Sequence, residues 1–289
     1  MGAFFIAVSN GIHLAPKKWA NYHGHAFFFV IIFLFLSFLV LLHLSMRIEI
    51  DALSQKGLVR ENNEDALAVG DKILRDDAAT VTVELQKKGF FYLLVADGMG
   101  GHENGEEASE YTLKTIKELF SQRLMSADTF AEDLNYATRN ISFSLNCAAA
   151  ERGQRLPMGC TLTGLIWFYG HAWLVNAGDS RTYRYCSGLL RQLTTDETER
   201  GMTGNPDAEK YLLNCIGGGL DGSLAIENMD GKLLTDDVIL ICSDGLTDML
   251  SDDQIEKAIT NGATAADLYR MACEAGGIDN VSIILARIK

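Results

Sequence analysis

Hydrophobic and polar positions follow two different periods in the chain after residue 45. Residues 80–85 (TVTVEL) alternate as a half-buried strand does, and residues 90–96 (FFYLLVA) form an apolar run that predicts a central strand. Between residues 130 and 148, apolar residues instead recur at spacings of three and four, which places them on one face of a helix. The sequence therefore predicts both sheet and helix, with this helical face packed into a core.

Four further short apolar runs, separated by glycine or polar turns, lie between residues 160 and 193 and predict an antiparallel meander. Ser251 and Gln254 form a capping-box pattern at the start of a later helix, and Gly276 and Gly277 end the last helix before a strand. Because strands adjoin strands and helices adjoin helices, the expected fold class is α+β, a sandwich of antiparallel sheets covered by helices.

The most apolar stretch is residues 26–44, which contain only two polar residues. About 20 such residues span a bilayer, so the stretch predicts a transmembrane helix in a single-pass membrane protein. An alternative is that residues 1–45 are an over-extended translation start and that the protein begins at Met46. All of the acidic residues follow residue 45, so the composition changes abruptly there. We expect an N-terminal segment, 1–45, followed by one domain, 46–289.

Charge and cysteine usage exclude several classes of protein. The formal net charge of −13 argues against binding to nucleic acid, which needs basic surface to displace counterions. The six cysteines contain no CxxC pair and no arginine at the spacing of a thiol phosphatase loop, so a cysteine nucleophile is not expected. These features fit an intracellular protein whose acidic clusters hold cations.

Acidic residues stand beside five predicted strands. Three apolar runs end in an aspartate, and two other strands directly follow acidic residues. The residues concerned are Asp97, Asp179, Asp244, Asp279, Asp65 and Glu64. A carboxylate at a buried strand end is unfavourable unless it is paired or metal-bound, and no comparable set of Lys or Arg accompanies these acids. The pattern therefore indicates oxygen ligands for hard divalent cations, with glycine after Asp97 allowing the Gly98 carbonyl to approach one of them.

Five motifs carry these residues in a fixed order. They are GLVRENNEDA (57–66), VADGMGGHENGE (95–106), AGDSRTYRY (177–185), LICSDGLTD (240–248) and GGIDNVSIIL (276–285). Together they resemble the motifs of the metal-dependent Ser/Thr protein phosphatases, the type 2C or PPM family, in their bacterial form. The resemblance covers roughly residues 47–289. It implies a four-layer α-β-β-α sandwich of two antiparallel sheets flanked by helices.

The resemblance implies that two, or three, Mn²⁺ or Mg²⁺ ions bind at the acidic residues. Asp97 matches the ligand that bridges two ions, and the Gly98 carbonyl matches a ligand of one of them. The other matches are Asp244 and Asp279 at the first metal, Asp65 with Glu64 at the second, and Asp179 at a third, weaker one.

Arg60 matches the family's phosphate-binding arginine, which makes Arg60 and Asp97 the expected catalytic residues. The implied mechanism is direct attack of a metal-bridging hydroxide on phosphoserine or phosphothreonine, with no phospho-enzyme. Met99 departs from eukaryotic members, which place a histidine there, and the nearby His102 is expected to be a surface residue. Residues 197–222 match a variable flap that is short and glycine-rich here.

The expected function is that of a protein-serine/threonine phosphatase in bacterial signalling, acting on phosphorylated proteins and opposing a cognate Ser/Thr kinase. Two alternatives stay open: a catalytically weak regulatory or binding module of the same fold, and a small-molecule phosphatase. A monomer is expected. Because such phosphatases meet kinases in the cytosol, the catalytic domain is expected to face the cytoplasm if residues 26–44 span a membrane. If the chain starts at Met46, the protein is expected in the cytoplasm.

Overall fold

The computed structural model describes residues 46–86, 89–100, 104–122, 125–153, 157–205 and 207–289. The predicted transmembrane segment and His102 lie outside these residues. Among the residues described, no helix is both long and apolar enough to cross a bilayer.

The secondary structure alternates short strands with a few helices. The strands are β1 (Arg47–Gln55), β2 (Ala66–Val69), β3 (Lys72–Leu74), β4 (Asp77–Glu84), β5 (Phe90–Ala96), β6 (Gly98–Met99), β7 (Gly159–Cys160), β8 (Leu162–Phe168), β9 (His171–Ala177), β10 (Arg181–Cys186), β11 (Leu189–Gln192), β12 (Ile216–Gly217), β13 (Ala225–Asn228), β14 (Val238–Cys242) and β15 (Val281–Ile288). The helices are α1 (Asn104–Ser121), α2 (Phe130–Glu151), α3 (Glu199–Thr203), α4 (Asp244–Thr247), α5 (Asp252–Thr260) and α6 (Ala265–Glu274).

Two six-stranded antiparallel sheets form the centre of the domain. The first sheet has the order β11-β10-β14-β15-β1-β4, and the second has the order β13-β9-β8-β5-β2-β3. A small third sheet joins β12, β7 and β6. The apolar run 90–96 is a central strand, as predicted. The alternating run 80–85 falls almost entirely in β4, so the prediction of a strand is confirmed. This edge strand is mostly exposed, and only Ala79 and Val83 of β4 are partly buried.

Three hydrophobic cores separate four layers of secondary structure. Alternation along β5 sends Leu94 into a core shared with α1 and α2, while Leu93 enters a second core between the two sheets. Along β15, Ile284 faces this second core and Leu285 enters a third core, which α5 and α6 cover. The expected four-layer α-β-β-α sandwich is therefore confirmed. Ser251 and Gln254 form the predicted capping box at the start of α5. The last helix, α6, ends at Glu274, just before Gly276 and Gly277, as predicted.

The predicted meander between residues 160 and 193 is wrong, because its strands belong to two sheets. Strands β8 and β9 pair in the second sheet, whereas β10 pairs with β11 and β14 in the first. The chain changes sheets at Gly178, whose φ of 106° suits glycine and where a Cβ would lie 2.7 Å from Thr161 Cγ2. Because the chain changes sheets here, Asp179 lies at one end of the sandwich, between the two sheets.

Candidate metal-binding active site

Antiparallel pairing explains why the predicted acidic residues meet. In the second sheet, the end of β5 pairs with the start of β2, so Asp97 and Asp65 lie at the same end of the sheet. In the first sheet, the end of β14 pairs with the starts of β10 and β15. Asp179 and Asp279 occupy the turns next to these strand ends, and Asp244 is the first residue of α4 just after β14. Residues far apart in the chain are therefore gathered at one end of the sandwich.

A cleft of about 340 Å³ opens at this end. Every predicted site residue except Asp65 lines it. The lining residues are Arg60, Glu64, Asp97, Gly98, Met99, Gly100, Thr161, Asp179, Lys210, Leu212, Asp244 and Asp279. Asp65 is fully buried. The motifs singled out in the sequence thus form a single site.

Burial and mutual repulsion raise the pKa values of three of these acids. Burial raises the pKa of Asp65 to about 7, although hydrogen bonds from serine hydroxyls act in the opposite direction. Burial, and then the charge of Asp65 and of the other acids, raises the pKa of Asp97 well above its usual range. Burial and the nearby Asp244 raise the pKa of Asp179 to about 6. The arrangement disfavours ionised carboxyls unless cations accompany them.

Asp65 is anchored on one side only. Its Oδ2 accepts a hydrogen bond of 2.7 Å from the Ser243 hydroxyl. Its Oδ1 is buried and has no hydrogen-bond partner among the described residues. Buried polar atoms are nearly always paired, so an unpaired carboxylate oxygen in an acidic cluster fits a metal ligand.

Two basic side chains contact the cluster, Lys210 and Arg60, and of these only Arg60 was predicted from the sequence. Lys210 Nζ lies 2.6 Å from Asp244 Oδ2, 2.8 Å from Asp248 Oδ2 and 3.6 Å from Asp179 Oδ2. Burial disfavours the ammonium, but the charges of Asp244 and Asp179 and the hydrogen bonds to Asp244 and Asp248 together outweigh it, so the pKa of Lys210 lies above its usual value. Arg60 Nη2 lies 2.6 Å from an oxygen of Asp279.

These contacts affect how the acids are arranged. In the part of the chain that the structure describes, no three His, Cys, Asp or Glu side chains form a group ready to hold a metal ion. Asp244 and Asp279 instead point to Lys210 and Arg60. The residue types fit hard cations, and a cation bound by these two aspartates would take the place of the basic groups.

Asn280 holds the loop that carries Arg60, Glu64 and Asp65. Its buried side chain accepts a hydrogen bond of 2.8 Å from the Glu64 backbone N–H. The same amide donates to the backbone carbonyls of Lys56, at 3.1 Å, and Asn62, at 2.8 Å. One side chain therefore ties this loop to the start of β15.

Close backbone packing fixes the position of Gly98 and Glu64. A Cβ on Gly98 would collide with the carbonyl oxygen of Gly105 and lie 2.5 Å from that of Glu64. A Cβ on Gly105 would lie 2.5 Å from Glu64 Oε2. Gly98 lines the cleft, and the pair of glycines brings α1 against the site.

Sequence reasoning missed several residues of the site. Lys210 lies in the flap, where no periodic pattern draws attention to it. Thr161 accepts a hydrogen bond of 3.0 Å from the Asp97 N–H and donates its own N–H to the Asp97 carbonyl at 2.8 Å. Asn280 directly follows Asp279, so its place in a motif was the one available indication. Asp244 also differs slightly from expectation, because it begins α4 rather than ending a strand.

The known proteins similar to this chain are protein phosphatases. Residues 68–274 match the family model for protein phosphatase 2C. The serine/threonine phosphatase Stp of Listeria monocytogenes is 27% identical over 249 residues, covering 80% of this chain and 92% of that protein. The serine/threonine protein phosphatase PstP of Mycobacterium tuberculosis is 30% identical over 256 residues, covering 82% of this chain and 44% of PstP.

Solved structures extend the similarity to the fold. The crystal structure of the PstP catalytic domain in complex with two manganese ions matches with a TM-score of 0.66 and 28% identity, covering 84% of this chain and 99% of that one. The family model spans more than half of the chain, and it includes the strands and turns that carry Asp97, Asp179 and Asp244. The chain therefore belongs to the protein phosphatase 2C family.

Proposed function

We propose that this chain is a metal-dependent protein-serine/threonine phosphatase, which hydrolyses phosphoric monoesters on proteins. The observation that carries the proposal is one cleft in which carboxylates from both sheets stand beside Arg60. Clustered oxygen ligands next to a guanidinium suit a phosphate ester and its accompanying cations. The serine/threonine phosphatases similar to this chain support the substrate class. A binding module would have no need for mutually repelling, buried carboxylates.

The donor set is suited to Mn²⁺ or Mg²⁺, since it contains only oxygen atoms and includes Asp65 Oδ1, which has no hydrogen-bond partner in the described part of the chain. The residues that would hold two cations, or three, are Asp97, Gly98 through its carbonyl, Asp244, Asp279, Asp65, Glu64 and Asp179. Such cations, when bound, lower the pKa of water and neutralise charge that develops on the phosphoryl group.

The chain's own residues would bind and orient the phosphorylated side chain. The half-exposed guanidinium of Arg60 can donate two parallel hydrogen bonds to phosphate oxygens. Thr161 fixes the backbone on both sides of the Asp97 peptide, which limits the movement of that carboxylate. We expect hydrolysis in one step, without a phosphorylated enzyme.

The test compares substrates, metals and variants of the full chain. Wild-type protein with Mn²⁺ should release phosphate from a phosphothreonine peptide and lose this activity when the metal is chelated. Asp97→Ala or Asp244→Ala should abolish turnover, while Asp71→Ala should retain it because exposed Asp71 stands at the far end of β2. Hydrolysis of free phosphometabolites without peptide turnover would favour a small-molecule phosphatase. Undiminished activity in Asp97→Ala would refute the metal assignment.

A further inference from the structure

Three exposed apolar side chains adjoin the cleft, and we call them the apolar rim: Leu58, Val59 and Ile278. Their exposed fractions are 66%, 62% and 54%. Single apolar residues scattered on a surface need no explanation, but a contiguous group beside a binding site indicates a contact surface.

The two segments of the apolar rim are joined through their backbones. The Leu58 N–H donates a hydrogen bond of 2.8 Å to the Gly277 carbonyl. The Leu58 side chain covers Gly277, where a Cβ would lie 2.9 Å from Leu58 Cγ. Ile278 is the next residue, and a Cβ on Gly276 would lie 3.7 Å from its Cγ1.

The same two segments carry the groups proposed to contact phosphate and metal. Val59 precedes Arg60 and Ile278 precedes Asp279, and the two charged side chains contact each other at 2.6 Å. An extended polypeptide advances at most about 3.3–3.6 Å per residue, so three residues span roughly 10 Å. When the phosphate lies at Arg60, the substrate residues on one side of it are therefore within reach of the apolar rim.

We propose that the apolar rim binds an apolar side chain of the substrate protein, one to three residues from the phosphorylated residue. This inference rests on the proposed phosphatase function and adds a substrate preference to it. The cleft itself is lined by five acidic side chains beside Arg60, which suit cations and the phosphate ester. The apolar rim supplies the adjacent surface whose burial favours Leu, Ile, Val or Phe in the substrate.

A peptide series tests the preference with the full chain and Mn²⁺. The peptides share one phosphothreonine, have serine at the flanking positions, and carry a single leucine at each position from three before to three after it. We expect one leucine position to raise kcat/KM about tenfold over the all-serine peptide, since an open apolar contact of this size has roughly that effect.

A triple variant, Leu58→Gln with Val59→Thr and Ile278→Thr, should remove the preference and leave turnover of p-nitrophenyl phosphate unchanged. Its matched control is Leu189→Thr, because Leu189 is 70% exposed but lies in the β10–β11 hairpin, at the end of β10 away from Asp179. The control should keep the preference.

Several outcomes would overturn the proposal. Equal hydrolysis of all the peptides, or a preference that survives in the triple variant, would show that the apolar rim does not contact substrate, while the phosphatase function would stand. A change in the sedimentation of the triple variant would assign the surface to a second copy of the chain. Hydrolysis of p-nitrophenyl phosphate but of no phosphopeptide would instead refute the proposed function, and the preference with it.

Discussion

Replacing Asn280 by alanine should release the loop that carries Arg60, Glu64 and Asp65 from the start of β15. The substitution removes the partners of three backbone groups, the Glu64 N–H and the carbonyls of Lys56 and Asn62. Lys56 and Asn62 are exposed, so their carbonyls can bind water, whereas the Glu64 N–H is less accessible. Each lost hydrogen bond contributes about 1 kcal/mol, and an unsatisfied buried group costs about 1–3 kcal/mol. We expect the free energy of unfolding to fall by about 2–4 kcal/mol.

The loop also carries Arg60 and two of the acids, so function should fall further than stability explains. A displacement of about 1 Å in a catalytic group can lower turnover about a hundredfold. Urea unfolding measures the first effect, and titration calorimetry with Mn²⁺ together with phosphopeptide turnover measures the second. The control is Asn62→Ala, which removes an exposed side chain from the same loop and should change stability by less than about 0.5 kcal/mol. If Asn280→Ala lowers the free energy of unfolding by less than about 1 kcal/mol and binds Mn²⁺ with normal affinity, this reasoning is refuted.

Three other changes test different parts of the site. Arg60→Ala should raise KM for phosphopeptide and leave Mn²⁺ affinity nearly unchanged in calorimetry, since Arg60 is assigned to phosphate; a loss of metal binding equal to that in Asp97→Ala would contradict the division of roles. In chelator, the free energy of unfolding should fall as pH rises from about 4 to about 7, because the folded-state pKa values of Asp65 (about 7) and Asp179 (about 6) exceed the ordinary 3.8, so the folded state binds more protons across this window. Urea midpoints that rise over the same range would contradict that sign. The fragment 46–289 should fold and hydrolyse phosphopeptide, because β1 to β15 complete both sheets; an inactive fragment rescued by restoring residues 1–45 would show otherwise.

Local patterns were sufficient to predict the acidic side chains of the site. Asp97, Asp179 and Asp279 each stand in a turn beside an apolar run, and period-two burial with antiparallel pairing determines that such turns meet at one edge. The buried face of α2 followed from its helical spacing in the same way, with Phe130 and Leu134 buried as expected. The transmembrane segment stays a prediction.

Contacts between distant segments could not be predicted from local patterns. Lys210 and Asp244 form an ion pair although they are 34 residues apart, and no pattern in the flap sequence predicts this contact. The change of sheet at Gly178 was also missed, because four successive short strands look alike whether they share a sheet or divide between two. Tertiary packing decides between these arrangements, and its determinants lie outside any short window.

The position of β15 has a consequence for how the protein is made. This strand follows all of the others along the chain, yet it lies inside the first sheet between β14 and β1. During translation, β1 is made first and must wait for residues 281–288 before it gains this neighbour. Until then, β1 and β14 each lack a pairing partner on one side, and such open strand edges invite pairing with other chains. A chain that ends before residue 279 would therefore lack Asp279 and leave β1 and β14 each unpaired on one side, which favours aggregation.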